Sequence, residues 1–121
     1  MTTNEAGPAG RRILIVEDNF TIAAAITRIL KTTGAQIIGP VGTVSDALAL
    51  IAGSERIDGA VLDVDLRGEM VYPVANALLA ISVPMVFLTG YDDTFIEPGY
   101  ANVPRMQKPV GVERLMRALF G

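Results

Sequence analysis

The chain has 121 residues, of which 50% are hydrophobic and 19% are charged, and its formal net charge is −3. This length fits one domain with a single core. Because the sequence contains neither cysteine nor histidine, disulfides, thiolate–zinc sites and histidine general bases are excluded, and any bound metal must be a hard cation held by oxygen. The excess of 13 acidic over 10 basic residues argues against a nucleic-acid-binding protein.

The N-terminal segment predicts a flexible tail at residues 1–10, ahead of one domain at residues 11–121. The tail leads into only four apolar residues, Ile13 to Val16, before two acids, which is too short for a secretory signal. The longest apolar stretch, Val74 to Leu88, is interrupted by polar residues and proline and falls short of a membrane span. We therefore expect a cytoplasmic protein without membrane contact.

Along the chain, apolar runs of strand length alternate with segments of helical spacing. Continuous runs of this kind predict short parallel strands covered on both faces, and the segments between them predict amphipathic helices. The strands are expected at residues 12–17, 35–41, 60–64, 83–88 and 103–107. The helices are expected after an Asn19 cap as far as Gly34, after Thr43 or Ser45 as far as Ala52, at 71–81 and at 112–120.

Prolines modify this pattern at three places. Pro40 cannot donate a ladder hydrogen bond, so the second strand lies at a sheet edge or ends there, and Pro73 fits only the first turn of its helix. Between the fourth and fifth strands, the capping-box pattern Thr94-x-x-Glu97 is followed at once by Pro98-Gly99, which predicts a stub or a loop instead of a fourth helix. The order of elements predicts an α/β protein with a doubly wound, five-stranded parallel sheet.

Polar residues follow the ends of four predicted strands, at the edge where open parallel sheets bind ligands. They are Glu17 and Asp18 after the first strand, Asp63 at the third, Thr89 at the fourth and Lys108 at the fifth. Three carboxylates at one edge repel one another unless a cation is present. Mg²⁺ and Lys108 are the natural partners, and Mg²⁺ favours few carboxylates together with water and phosphate oxygens.

This set of charges suits phosphoryl transfer to Asp63. The three acids bring −3, while Mg²⁺ and Lys108 bring +3, so the site is neutral before reaction and its cations can stabilise the charge that a phosphoryl group adds. An ionised aspartate needs no base to act as a nucleophile. Phosphoryl transfer requires mainly positioning and charge neutralisation, so an aspartyl phosphate can form here without histidine.

Over residues 11–121 the sequence resembles the receiver domain of bacterial two-component response regulators. The resemblance rests on Glu17-Asp18 after ILIV, on Asp63 within AVLDVDL, on Thr89-Gly90 after MVFL and on Lys108-Pro109. The stretch PMVFLTGY further resembles the PFxFATGY signature of a subgroup of mostly stand-alone receivers from Alphaproteobacteria, with Leu88 replacing its alanine. The resemblance implies a flavodoxin-like sheet of strand order 2-1-3-4-5.

The resemblance also implies a reaction and its partners. Asp63 would accept phosphate from a histidine kinase or a histidine phosphotransfer protein, and Thr89 and Lys108 would contact the phosphoryl group. The Lys108-Pro109 peptide is commonly cis in this family, which would aim the lysine inward. The chain would act as a single-domain response regulator in a phosphorelay, with self-catalysed phosphorylation and dephosphorylation, and would switch the binding of a downstream protein partner.

The metal ligands are implied in the same way. Asp18 and Asp63 would hold Mg²⁺, Glu17 would assist through water, and the backbone carbonyl of Asp65 would be a further ligand. Glu17 stands where the family more commonly has aspartate, which lengthens the reach to the metal.

Other departures from the family pattern leave alternatives open. Arg67 stands where a proline is usual, and Arg105 stands where many receivers carry a switching aromatic residue, so Tyr91 could report phosphorylation instead. These departures favour a pseudo-receiver that binds proteins without phosphorylation. A phosphohydrolase of the haloacid dehalogenase class is suggested by the Asp63-x-Asp65 spacing, and each polar residue alone also fits an ordinary solvated position.

Overall fold

We describe residues 10–90, 96–108 and 111–121 of a computed structural model. In chain order the elements are β1 (Arg12–Val16), α1 (Phe20–Lys31), β2 (Gln36–Val41), α2 (Val44–Gly53), β3 (Gly59–Asp63), β4 (Asp65–Leu66), β5 (Glu69–Met70), α3 (Tyr72–Ala80), β6 (Met85–Thr89), a 3₁₀ turn (Pro98–Tyr100), β7 (Arg105–Gln107) and α4 (Val112–Phe120). Apart from Gly10, the predicted tail lies outside the described residues, as do Tyr91, Thr94 and Pro109.

Five strands form one parallel sheet in the order β2-β1-β3-β6-β7. Since β6 and β7 are the fourth and fifth strands of this sheet, the predicted order 2-1-3-4-5 is confirmed. The three central strands are almost fully buried, as expected for continuous apolar runs covered on both faces. The strand that contains Pro40 lies at an edge of the sheet, where its missing N–H costs no ladder bond.

Alternate residues of the central strands pack into two separate cores. Leu14, Leu62 and Phe87 face α2 and α3, whereas Ile15 and Val61 face the opposite core with α1 and α4. The period-2 alternation of side chains explains how one apolar run serves both layers. Packing against the two cores fixes the positions of the strand ends. It therefore also fixes the positions of the residues that follow each strand.

The starts of α1 and α2 are set by side-chain caps. The Asn19 side chain accepts a hydrogen bond of 3.0 Å from the N–H of Ile22, and the Thr43 hydroxyl accepts one of 3.1 Å from the N–H of Asp46, so Thr43 rather than Ser45 caps α2. In the parts of the chain described here, we find no helix with the length and apolarity to span a bilayer.

The β3–α3 connection contains a feature that the sequence did not predict. The strands β4 and β5 pair antiparallel as a small hairpin, and its two loop residues, Arg67 and Gly68, have φ of +58° and +91°. Two positive φ values match the tight hairpin turn whose twist fits the flanking strands. Between β6 and β7, where the sequence predicts a stub or a loop, the described residues contain one 3₁₀ turn, at Pro98–Tyr100, whereas most of the predicted stub lies outside the described residues.

Candidate active site

Three polar side chains are buried at the carboxyl ends of the central strands. Glu17 follows β1, Asp63 ends β3 and Thr89 ends β6, with exposures of 3%, 7% and 5%. Among the residues that the structure describes, no other charged side chain is buried to this degree. Because buried acids are rare unless they are paired, their partners indicate what this edge of the sheet does.

Lys108 bridges two of the buried acids. Its Nζ lies 2.9 Å from Oε1 of Glu17 and 3.2 Å from Oδ2 of Asp63. The backbone N–H of Lys108 donates to the carbonyl of Thr89 at 3.0 Å, so the ends of β6 and β7 fix where the lysine side chain starts. The ammonium therefore pairs with two carboxylates that arise from different strands, and its single positive charge offsets one of their two negative charges.

Asp18 is paired with a different cation. Its Oδ2 accepts a 2.9 Å contact from Nε of Arg67 in the turn of the β4–β5 hairpin. The Asp18 side chain is 16% exposed and the Arg67 side chain 80% exposed, so this pair lies at the mouth of the site. The sequence analysis noted Arg67 only as a departure from the family, because its contact with Asp18 spans 49 residues of chain.

One carboxylate oxygen each from Glu17, Asp18 and Asp63 lies within 4.8 Å of the others, so these residues could hold a metal ion. The surroundings fit a divalent cation. The three acids face only two cationic groups, Lys108 and Arg67, within the described structure, and Oε1 of Glu17 is buried without accepting a hydrogen bond of good geometry. Its 2.9 Å contact with Lys108 is an ion pair that lacks this alignment.

The side chain of Asp65 belongs to the hairpin and not to the acidic group. Its carboxylate lies outside the acidic group, since Oδ1 accepts a 2.6 Å hydrogen bond from the N–H of Gly68 and closes the hairpin. Its own N–H donates to Oδ1 of Asp63 at 3.2 Å. The proposed role of the Asp65 carbonyl as a ligand stays a prediction.

The electrostatic environment raises two pKa values. Burial raises the pKa of Asp63 to about 7, helped by the neighbouring carboxylate of Glu17 and opposed by Lys108. Burial on its own would lower the pKa of Lys108, but the attraction of the Glu17 and Asp63 carboxylates outweighs it and raises that pKa. Without a metal, Asp63 is thus held near the midpoint of its titration at neutral pH.

No protein-family model matches the chain. Among solved structures, SdrG from Sphingomonas melonis Fr1 is 40% identical and has a TM-score of 0.81, with 91% of this chain and 93% of that chain covered. The response regulator receiver domain protein (CheY-like) from Methanospirillum hungatei JF-1 is 25% identical with a TM-score of 0.75, and the match covers 90% of each chain. The chain belongs to the response regulator receiver family.

The receiver is also similar to longer proteins. It is 33% identical over 86 residues to the uncharacterized transcriptional regulatory protein YbdJ of Bacillus subtilis, a match that covers 69% of this chain but only 37% of YbdJ. The chain thus spans less than half the length of that curated relative. Membership of the family implies response regulator function in two-component signalling. The hypothesis of a phosphohydrolase of the haloacid dehalogenase class is left without support.

Proposed function

We propose that this receiver accepts a phosphoryl group on Asp63 from a histidine kinase or a histidine phosphotransfer protein, in the presence of Mg²⁺. The observation that carries the proposal is the Lys108 ammonium, which lies within 3.2 Å of Asp63 and 2.9 Å of Glu17 at the ends of three strands. A lysine held between two buried acids costs desolvation energy. A site that must stabilise additional negative charge explains that cost.

In the reaction, a carboxylate oxygen of Asp63 forms a bond to phosphorus while the bond from phosphorus to the donor nitrogen breaks. The leaving nitrogen keeps the electron pair of the broken bond. Mg²⁺, held by Glu17, Asp18 and Asp63, would supply positive charge to the phosphoryl oxygens. Lys108 favours the ionised form of Asp63 and orients its carboxylate, and we assign Thr89 the donation of a hydrogen bond to the phosphoryl group.

The subgroup and the cellular role of this receiver are inferred from its sequence and from its similarity to SdrG. We infer a cytoplasmic, stand-alone receiver of the PFxFATGY-type subgroup, with its domain at residues 11–121, that changes its affinity for a downstream protein when it is phosphorylated. The stretch PMVFLTGY and the 40% identity with SdrG over 93% of that chain support this inference. Tyr91, which follows Thr89-Gly90, is outside the described residues, and its part in reporting phosphorylation stays a proposal.

Two observations favour a second candidate, a pseudo-receiver that binds partners without phosphorylation. Arg67 already neutralises Asp18 at 2.9 Å, and Arg105, at the place of the usual switching aromatic, is exposed on β7. In such a protein the cations would be permanent partners of the acids, and no phosphoryl group would add to Asp63.

Intact mass separates the two candidates. The wild-type chain, Asp63→Ala and Asp46→Ala are incubated with Mg²⁺ and acetyl phosphate; Asp46 is an exposed acid of α2 and serves as the control. We expect the wild type and Asp46→Ala to gain the mass of one phosphoryl group and Asp63→Ala to gain none. A wild-type chain whose mass never changes would favour the pseudo-receiver.

A further inference from the structure

The β4–β5 hairpin holds Arg67 at a fixed place beside the acidic group. Leu66, just before the turn, is buried, and the Asp65 carboxylate ties the turn through its 2.6 Å hydrogen bond with Gly68. Arg67 itself adopts φ of +58°, a region that costs energy for any residue other than glycine. The guanidinium therefore starts from an anchored turn and reaches Asp18 across the mouth of the site.

The contact distributes the cations unequally among the three acids. Lys108 serves Glu17 and Asp63, whereas Oδ2 of Asp18 has its ionic contact with Arg67 at 2.9 Å. An oxygen of Asp18 also belongs to the group within 4.8 Å that could hold a metal. A guanidinium and a divalent cation at such short range repel each other, and both require the same carboxylate.

We propose that Arg67 is a tethered counter-ion that competes with the divalent cation for Asp18 and so lowers the metal affinity of the site. The proposal rests on the metal site of the proposed function. In the metal-free protein the guanidinium reduces the repulsion among the acids; when the cation binds, the arginine side chain moves into solvent, to which it is already 80% exposed. Arg67 is in these terms a positioning residue, because it acts on the metal through Asp18.

The chain offers a matched control for this pair. Arg56 also makes an exposed ion pair through Nε, at 3.0 Å from Oδ2 of Asp58. That pair lies before β3, at the amino edge of the sheet, on the opposite side from the acidic group. Arg56→Gln therefore removes the same charge and the same type of contact, while salt screens its effect on the distant metal site.

The test is a calorimetric titration of the full chain with MgCl₂ at pH 8 and physiological ionic strength, without any phosphodonor. Breaking an exposed ion pair predicts that Arg67→Gln binds Mg²⁺ about two- to fivefold more tightly than the wild type. Arg67→Lys keeps the charge and should lie between the two, and Arg56→Gln should match the wild type. In the wild type, the Nε–H NMR signal of Arg67 should shift on addition of Mg²⁺.

Several results would overturn the proposal. Unchanged or weaker binding by Arg67→Gln would refute it, and so would an equal gain in Arg56→Gln, which would reveal a general charge effect. If the wild type binds Mg²⁺ and only the expected gain is missing, the proposed function survives. If neither the wild type nor Arg67→Gln binds Mg²⁺, both this inference and the metal-dependent function are wrong.

Discussion

The raised pKa of Asp63 predicts that Mg²⁺ binding depends steeply on pH below neutrality. The Asp63 carboxyl has a pKa of about 7 in the metal-free protein, first because of burial and then because of Glu17. A metal ion requires the ionised carboxylate, so each Mg²⁺ that binds must displace the proton that Asp63 still carries. Lowering the pH from 8 to 6 therefore protonates Asp63 and weakens Mg²⁺ binding.

The size of the effect follows from the fraction of Asp63 that is ionised. For a single group with a pKa of about 7, this fraction is about nine-tenths at pH 8, about half at pH 7 and about one-tenth at pH 6. The apparent affinity for Mg²⁺ should therefore fall about twofold at pH 7 and about tenfold at pH 6. A tenfold change corresponds to about 1.4 kcal/mol.

Titration calorimetry in two buffers with different heats of ionisation measures both the affinity and the protons released. We expect about 0.9 proton per Mg²⁺ at pH 6, about 0.5 at pH 7 and about 0.1 at pH 8. Asp63→Asn has no proton to release and should bind more weakly with no such pH dependence. A wild-type affinity that is constant from pH 6 to pH 8, with no proton release, would refute the reasoning.

Three further predictions concern stability and are measured by urea unfolding in metal-free buffer. In the unfolded chain, Asp63 loses its proton near its ordinary pKa of 3.8, whereas the folded state holds that proton up to a higher pH. The free energy of unfolding should therefore decrease from about pH 4 to pH 7, by at most about 1.4 kcal/mol per pH unit. An increase over this range would contradict the assignment. Lys108→Met leaves Glu17 and Asp63 without their shared cation and should cost about 3 kcal/mol at pH 8 but less at pH 5; an equal loss at both pH values would show that packing, not charge, is responsible. Asn19→Ala removes the cap of α1 and should cost about 1 kcal/mol, whereas Asn19→Ser should retain most of that stability.

The larger elements could be predicted because their signals are local. The buried runs, the Asn19 cap and the edge position of the strand with Pro40 each depend on residues within one or two turns or on one strand. The predicted bounds differ from the structure by one or two residues at most strand ends, for instance 60–64 against Gly59–Asp63. Such ends depend on pairing with neighbouring strands, which a single run of residues does not encode.

The β4–β5 hairpin could not be predicted in the same way. Each of its strands has two residues, too few to produce a period-2 pattern. Its turn also places Arg67 in a backbone region that favours glycine or asparagine. In the sequence, the one signal for this hairpin is Gly68 after a possible short strand. That signal is weak without the structure.

At the site, the meeting of Glu17, Asp63 and Lys108 was predictable because the carboxyl ends of parallel strands share one edge. Which cation pairs with which acid was not predictable. The structure pairs Lys108 with both Glu17 and Asp63, and it pairs Arg67 with Asp18. This pairing depends on the directions of the side chains at the mouth of the site. These directions come from the folded hairpin and from the bond between Lys108 and Thr89.

The most direct test of the central claim locates the phosphoryl group by residue. After incubation with Mg²⁺ and acetyl phosphate, borohydride reduction converts a phosphorylated aspartate into homoserine, which peptide mass spectrometry identifies. We predict homoserine at position 63 only, and only when Mg²⁺ is present. Homoserine at position 18 or 65, or none at all in a folded chain that binds Mg²⁺, would contradict the account.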